Sequence, residues 1–155
     1  MLFSIVSSIV FSQEAKLGYI TLENSNSIVI GSHIKIEIFK PIYDLGKRDS
    51  HTEIKITKYS VKEKKELIEK YTLPENEYIE IVNAILKINP IDLMNDFQTV
   101  IDGDYTTLKF GSIDASVEYS VYGLSKGDKD TPYKDFLIAV QSILKSAKVK
   151  IYGIN

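Results

Sequence analysis

Between Ile28 and Phe39 the chain alternates, with Ile34, Ile36 and Ile38 on one side and Lys35 and Glu37 on the other. A period of two with one apolar and one charged side is that of an antiparallel strand with one face on a core and the other in water. Leu17 to Leu22 alternates more weakly, and the turn-rich Asn24-Ser25-Asn26-Ser27 between the two segments predicts a hairpin. Pro41 closes the second segment. A polar stretch at 43–51 follows, after which Ile54 and Ile56 alternate with Glu53, Lys55 and Thr57 as a further strand. Residues 61–71, V-K-E-K-K-E-L-I-E-K-Y, favour helix by composition, but their position after a strand favours a charged hairpin tip with a return strand over Leu67 to Thr72.

Two segments carry the other period. Tyr78, Ile81, Val82, Ile85 and Leu86 recur at helical spacing until Asn89-Pro90. Ahead of them T-L-P-E, Thr72 to Glu75, has the form of a capping box with Pro74 in the first turn. Near the C-terminus Tyr133, Phe136, Leu137, Val140, Ile143, Leu144 and Ala147 define a second, longer amphipathic helix, with Thr131 as its expected N-cap and Pro132 as its first residue. Between the helices Asp102-Gly103 predicts a tight hairpin turn, and Gly111-Ser112 the next. Thr106, Leu108 and Phe110 share one face there, as do Val117, Tyr119 and Val121. Tyr119 and Tyr122 fall on opposite faces, and residues 149–154 suggest a short edge strand. The order strands, helix, strands, helix predicts an α+β domain: antiparallel sheet from two meanders, with two amphipathic helices packed on it.

The N-terminus breaks this pattern. Met1 to Phe11 contains no charged side chain and turns polar at Ser12-Gln13-Glu14. A run of about ten apolar and small residues is too short for a helical membrane span, which needs about 20, but it fits the apolar core of a secretory signal peptide. Residues 1–12 are therefore expected to be a signal peptide cleaved before Gln13, leaving 13–155 as one domain, exported to the periplasm or secreted, with no stable membrane span. The basic residues that usually open a signal are missing ahead of the run. The alternative reading makes residues 2–11 a buried first strand and the protein cytoplasmic.

Composition narrows the chemistry. The chain has 155 residues, 44% of them hydrophobic and 26% charged, which is the profile of one globular domain. A net charge of -2 and a single arginine, Arg48, give no footprint for nucleic acid, so no nucleic-acid partner is expected. With no cysteine, disulfides, thiolate metal sites and thiol nucleophiles are excluded. His33 and His51 stand in no metal-ligand spacing. Asp102 and Asp104, and Asp128 and Asp130, are D-x-D pairs beside glycines that do not extend to a calcium loop; turn and helix-terminus preferences account for them. There is no G-x-S-x-G elbow, phosphate loop or dinucleotide fingerprint, so no catalytic residue and no cofactor is expected.

Ten tyrosines and no tryptophan leave room for an amphipathic binding surface. Tyr78, Tyr119 and Tyr133 are expected in the core. Tyr105, Tyr122 and Asp128 are the candidate binding patch, near the loop 123–130.

The segments T-L-P-E-N-E-Y-I-E-I-V-N-A-I-L-K-I, D-G-D-Y-T-T-L-K-F-G and Y-S-V-Y-G-L-S-K-G-D-K-D-T-P-Y-K-D-F, with an uncharged F-S-Q at the signal end, resemble small exported proteins of Bacteroidetes-type bacteria. The resemblance implies a periplasmic or secreted bacterial domain and carries no site residues with it. The expectation is a non-catalytic exported domain that binds a protein or an envelope component, immunity-like or inhibitor-like in form. The alternative is a periplasmic binder of a lipid, sugar or peptide, held in a concavity between sheet and helices.

Overall fold

The computed structural model describes residues 17–25, 33–41, 51–60, 62–94 and 103–155; the expected signal peptide and the first arm of the Asp102-Gly103 hairpin lie outside them. Six strands form one antiparallel sheet: β1 Tyr19–Ser25, β2 Ile34–Phe39, β3 Thr52–Ser60, β4 Lys65–Leu73, β5 Tyr105–Gly111 and β6 Ser116–Tyr122. Their spatial order is β4-β3-β2-β1-β5-β6. The first meander therefore runs outward from β1 to an edge at β4, and the second joins on the other side of β1. One sheet results from the two expected meanders because β1 is paired along both of its edges.

Alternation assigns the faces. Ile20 and Leu22, Ile36 and Ile38, Ile54 and Ile56, Leu108 and Phe110, and Val121 are buried on the inner face. Helix α1, Glu75–Ile85, and helix α3, Lys134–Ser146, lie on that face; the five-residue α2, Pro90–Met94, falls between them in the chain. Tyr78, Ile81, Val82 and Ile85 of α1 and Phe136, Leu137, Val140, Ile143 and Leu144 of α3 supply the helical half of the core. Burying a Phe or Leu of this kind is worth roughly 1.5 to 3 kcal/mol, so the inner face holds the domain together. Tyr71 of β4 ties the layers further, its hydroxyl donating to the Ser146 carbonyl at 2.8 Å.

The return strand expected after residue 60 is present and longer than expected. Nine consecutive pairings with β3 hold Lys65 to Leu73 extended, which overrides the helical preference of its lysines and glutamates. The same pairing removes the expected capping box. Thr72 stands opposite Glu53 within β4, Pro74 is the N-cap of α1, and no side chain caps it. Leu86, expected on the buried stripe, follows the last helical residue and is exposed.

At α3 the helix starts later than Thr131-Pro132 predicted. Thr131 closes a 3₁₀ turn, Lys126–Asp130, and its hydroxyl oxygen accepts the Tyr133 N–H at 3.2 Å just before the helix begins. The edge strand expected at 149–154 is absent, because its backbone groups are used locally. The Val149 N–H donates to the Leu144 carbonyl, the Ile151 N–H to Asn155 Oδ1, and Asn155 Nδ2 to the Val149 carbonyl. Gln141 Nε2 then holds this C-terminal turn against α3 through the Ile154 carbonyl at 2.7 Å.

Gly111 is required by close approach. A Cβ there would lie 2.1 Å from the Ala115 carbonyl oxygen, which accepts the Ser112 N–H in the turn between β5 and β6. Among the described residues, no helix is long and apolar enough to cross a membrane.

Candidate functional site

Helices α1 and α3 cover one face of the sheet, and among the described residues the other face is formed by those that alternate with the core. Across the ladder this outer face reads in rows. Lys70, Lys55, Glu37, Thr21, Lys109 and Glu118 form one row from β4 to β6, and Ile68, Thr57, Lys35, Glu23, Thr107 and Ser120 form the next. Glu37 opposite Lys55, Glu23 opposite Lys35 and Glu118 opposite Lys109 are favourable cross-strand neighbours, whereas Lys70 stands opposite Lys55 and turns instead to Glu53 on the diagonal.

Glu37 bridges two lysines, at 2.8 Å from Lys55 Nζ and 3.4 Å from Lys35 Nζ, and Lys35 reaches Glu23 at 3.2 Å. The hydrogen bond from Lys55, with the charge of Lys35 behind it, holds the Glu37 carboxyl below its usual range. The hydrogen bond to Glu23, with Glu37 adding its charge, holds Lys35 above the usual lysine range. Lys109 and Glu118 lie 3.7 Å apart on the other side of β1.

Between these two groups the outer face sinks into an open hollow of about 620 Å³, lined by Tyr19, Thr21, Glu23, Lys35, Thr107, Lys109 and Glu118. Hydroxyls, two lysines and two carboxylates line it, and the charges are already paired with one another. Such a surface offers donors and acceptors at close spacing with little net field, which suits a polar or zwitterionic counterpart better than a strongly charged one.

Tyr105 and Tyr122 stand opposite each other on β5 and β6, one step along the same face from Thr107 and Ser120. Their rings are tilted by 49° with centroids 4.8 Å apart, and Tyr105 is 51% exposed. Thr107 and Ser120 share a hydroxyl hydrogen bond at 2.9 Å. The two tyrosines proposed from sequence therefore form one aromatic pair beside the hollow.

Asp128 does not join them at the surface. It is 4% exposed, and its carboxylate accepts the Ser125 N–H at 2.7 Å while the Ser125 hydroxyl caps the 3₁₀ turn in return. The reason is local: Ser125-Lys126-Gly127-Asp128 has the spacing of a capping box, and the carboxylate closes it. Its D-x-D neighbour Asp130 is exposed, Asp104 gives its carbonyl to the Gly123 N–H, and Asp102 lies outside the described residues. His33 is exposed, 3.9 Å from Glu23, and His51 is exposed at the start of β3. Among the described residues no group of three or more His, Cys, Asp or Glu could hold a metal ion.

Sequence reasoning missed Tyr19, Thr21, Glu23, Lys35, Thr107, Lys109 and Glu118 as a group. Each could be marked as outward-facing by its strand's alternation. The adjacency of β1 to β5, which brings the two halves of the hollow together, has no signature in the local pattern. Core side chains of the described residues pack between sheet and helices, and this hollow lies on the opposite, outer face. Comparison of the chain with protein-family models, with curated proteins and with solved structures finds no match in any of the three.

Proposed function

We propose that this chain is a non-catalytic binding domain that acts outside the cytoplasm and docks a protein or an envelope component on the outer face of its sheet. An immunity-like or inhibitor-like role, in which the face covers part of a toxin or hydrolase, is one concrete form. The observation that carries the reading is the outer face itself, on which neither α1 nor α3 packs. The sheet presents a hollow beside a tyrosine pair whose Tyr105 is exposed, and helices α1 and α3 lie on the other side. Tyrosine supplies rigid contact area with a polar tip, and paired charges around it give specificity without a large desolvation cost.

The volume of the hollow favours a second reading, since about 620 Å³ falls within the roughly 300 to 1,000 Å³ range of small-molecule sites. In that case the occupant is a sugar, peptide or lipid headgroup with several hydroxyl or zwitterionic groups. Thermal-shift measurements across such a library test it, and a flat response removes it.

The leading reading is tested with two surface variants that leave the core untouched. Thr107→Arg fills the hollow, and Ile138→Arg alters the exposed side of α3. Tagged protein is recovered from the envelope fraction, and each bound component is quantified by mass spectrometry against wild type. A component lost with Thr107→Arg and retained with Ile138→Arg is the expected result. Loss with Ile138→Arg alone overturns the assignment of the face. Export is read in the same preparation: a mature start at Gln13 in the periplasm or medium is expected, and an intact Met1 confined to the cytoplasm overturns it.

A further inference from the structure

The free edge of β4 stands out on the described surface. Lys65 to Lys70 are all exposed, Ile68 is 56% exposed, and the nine pairings with β3 run without a bulge or proline. A long, regular edge that no described strand covers, with an apolar residue at its middle, is a template for another strand. We propose that it pairs with the β4 edge of a second copy of this chain, antiparallel, about a two-fold axis at Ile68.

The charge pattern makes the edge complementary to a second copy of itself, and the length of the paired stretch fixes the register. A two-fold axis perpendicular to the sheet keeps every side chain on its own face, so a residue meets a partner residue of the same face. With the axis at Ile68, that side chain meets the partner's Ile68 on the outer face. Glu66 meets the partner's Lys70 on one side, and Lys70 meets the partner's Glu66 on the other. Lys65 to Tyr71 of each copy are paired. Lys70 already bonds Glu53 of its own β3 at 3.1 Å, and in the dimer it lies between two carboxylates.

Neighbouring registers are poorer. An axis at Leu67 also sets opposite charges across, Lys65 against the partner's Glu69, but it shortens the paired stretch from seven residues to five, Lys65–Glu69. An axis at Glu66, Glu69 or Lys70 places like charges directly opposite, which is destabilising in a sheet. On the inner face Lys65, Leu67 and Glu69 are exposed, so the helical layer does not overhang this half of the edge. The resulting sheet is continuous through both copies and carries both outer faces on the same side.

The test is analytical ultracentrifugation of the full chain over a concentration series, with four variants. Wild type is expected to dimerise. Glu66→Lys sets two lysine pairs opposite each other and is expected to raise the dimer Kd about tenfold or more; adding Lys70→Glu to it restores the opposite charges and the dimer. Because the chain has no cysteine, Ile68→Cys supplies one thiol per copy, placed to form a symmetric disulfide on mild oxidation. The same change on the inner face at Glu69, whose counterpart is the partner's Leu67, is expected to link far more slowly. A wild type that stays monomeric throughout overturns the proposal. So does a dimer that Glu66→Lys leaves intact, one that the double variant fails to restore, or linking that is equal from the two thiol positions.

Discussion

Asn24 of β1 and Thr106 of β5 face each other across the one pairing that joins the two halves of the sheet, and Asn24 Nδ2 donates to Thr106 Oγ1 at 3.0 Å in the core. Asn24 is 2% exposed and Thr106 is fully buried. A buried amide donor that can be satisfied by one facing hydroxyl favours the register that brings them together, because a slip of β1 against β5 would strand it without a partner. That register also sets Thr21 beside Lys109 and Glu23 beside Thr107, which is how the lining of the hollow is assembled.

Thr106→Val is therefore expected to destabilise the domain by about 1 to 3 kcal/mol, since the Asn24 amide stays buried with its facing acceptor gone. Replacing both residues with apolar ones should recover much of that loss while weakening the specificity of the register. Denaturant titration of the two single variants and the double gives the coupling. A Thr106→Val variant as stable as wild type would remove the pair from the account.

Thr52 gives the opposite sign. Its hydroxyl is buried at the start of β3 and has no hydrogen-bond partner among the described residues. Thr52→Val keeps the branched shape and removes an orphaned polar atom, so it is expected to stabilise by about 1 kcal/mol. The same denaturant titration reads it, and a lower midpoint at unchanged slope would contradict it.

The end of α3 predicts a second stabilising change. Lys148 holds φ 53 as the left-handed residue of a Schellman motif, with its N–H on the Lys145 carbonyl and the next N–H on the Leu144 carbonyl. Lys148→Gly removes the strain of a side chain in that conformation, worth about 1 kcal/mol. It also gives up the Lys148 ammonium over the Tyr71 ring at 5.6 Å, so the expected net gain is smaller than that. A rise in Tm is the outcome to look for.

These positions also show what the sequence makes legible. The alternation of Ile34, Ile36 and Ile38, and the helical run from Tyr133 to Ala147, each state a periodicity strong enough to fix element type and buried face. Tyr105 and Tyr122 were readable as aromatic residues of adjacent strands. Asp128 was misplaced because a capping box consumes its carboxylate, although the serine three residues earlier was there to be read. The pairing of Asn24 with Thr106 was not legible, since strand order in a sheet depends on which apolar faces pack together rather than on any local motif. Thr72 and the residues at 149–154 failed for opposite reasons. Pairing with β3 took Thr72 into the sheet, whereas at 149–154 the chain turns back and Asn155 bonds the Ile151 N–H and the Val149 carbonyl.

Tyr78 predicts a pH dependence. Its hydroxyl donates to the Leu17 carbonyl at 2.5 Å, and burial, with Glu75 adding its charge, pushes it up to about 12 from 10. The unfolded chain loses this proton near pH 10 and the folded chain near 12. The contribution is full below about pH 10 and is lost as pH rises from there toward 12. Tyr78→Phe should cost about 1 kcal/mol at pH 7, from the lost hydrogen bond. The gap to wild type should then shrink between pH 10 and 12. A constant gap across that window would show that the hydroxyl is not held in its neutral form.

The proposed binding surface is the outer face of the sheet around Thr107 and the Tyr105–Tyr122 pair. Site-specific photo-crosslinking tests it most directly, with the reactive residue placed in turn at Thr107, at Lys109 and, on the helical side, at Ile138 and Lys145. Irradiation in the intact cell is expected to give one discrete adduct from Thr107 and Lys109 and none from Ile138 or Lys145. The same adduct from Ile138 or Lys145, with none from Thr107 or Lys109, would contradict the account.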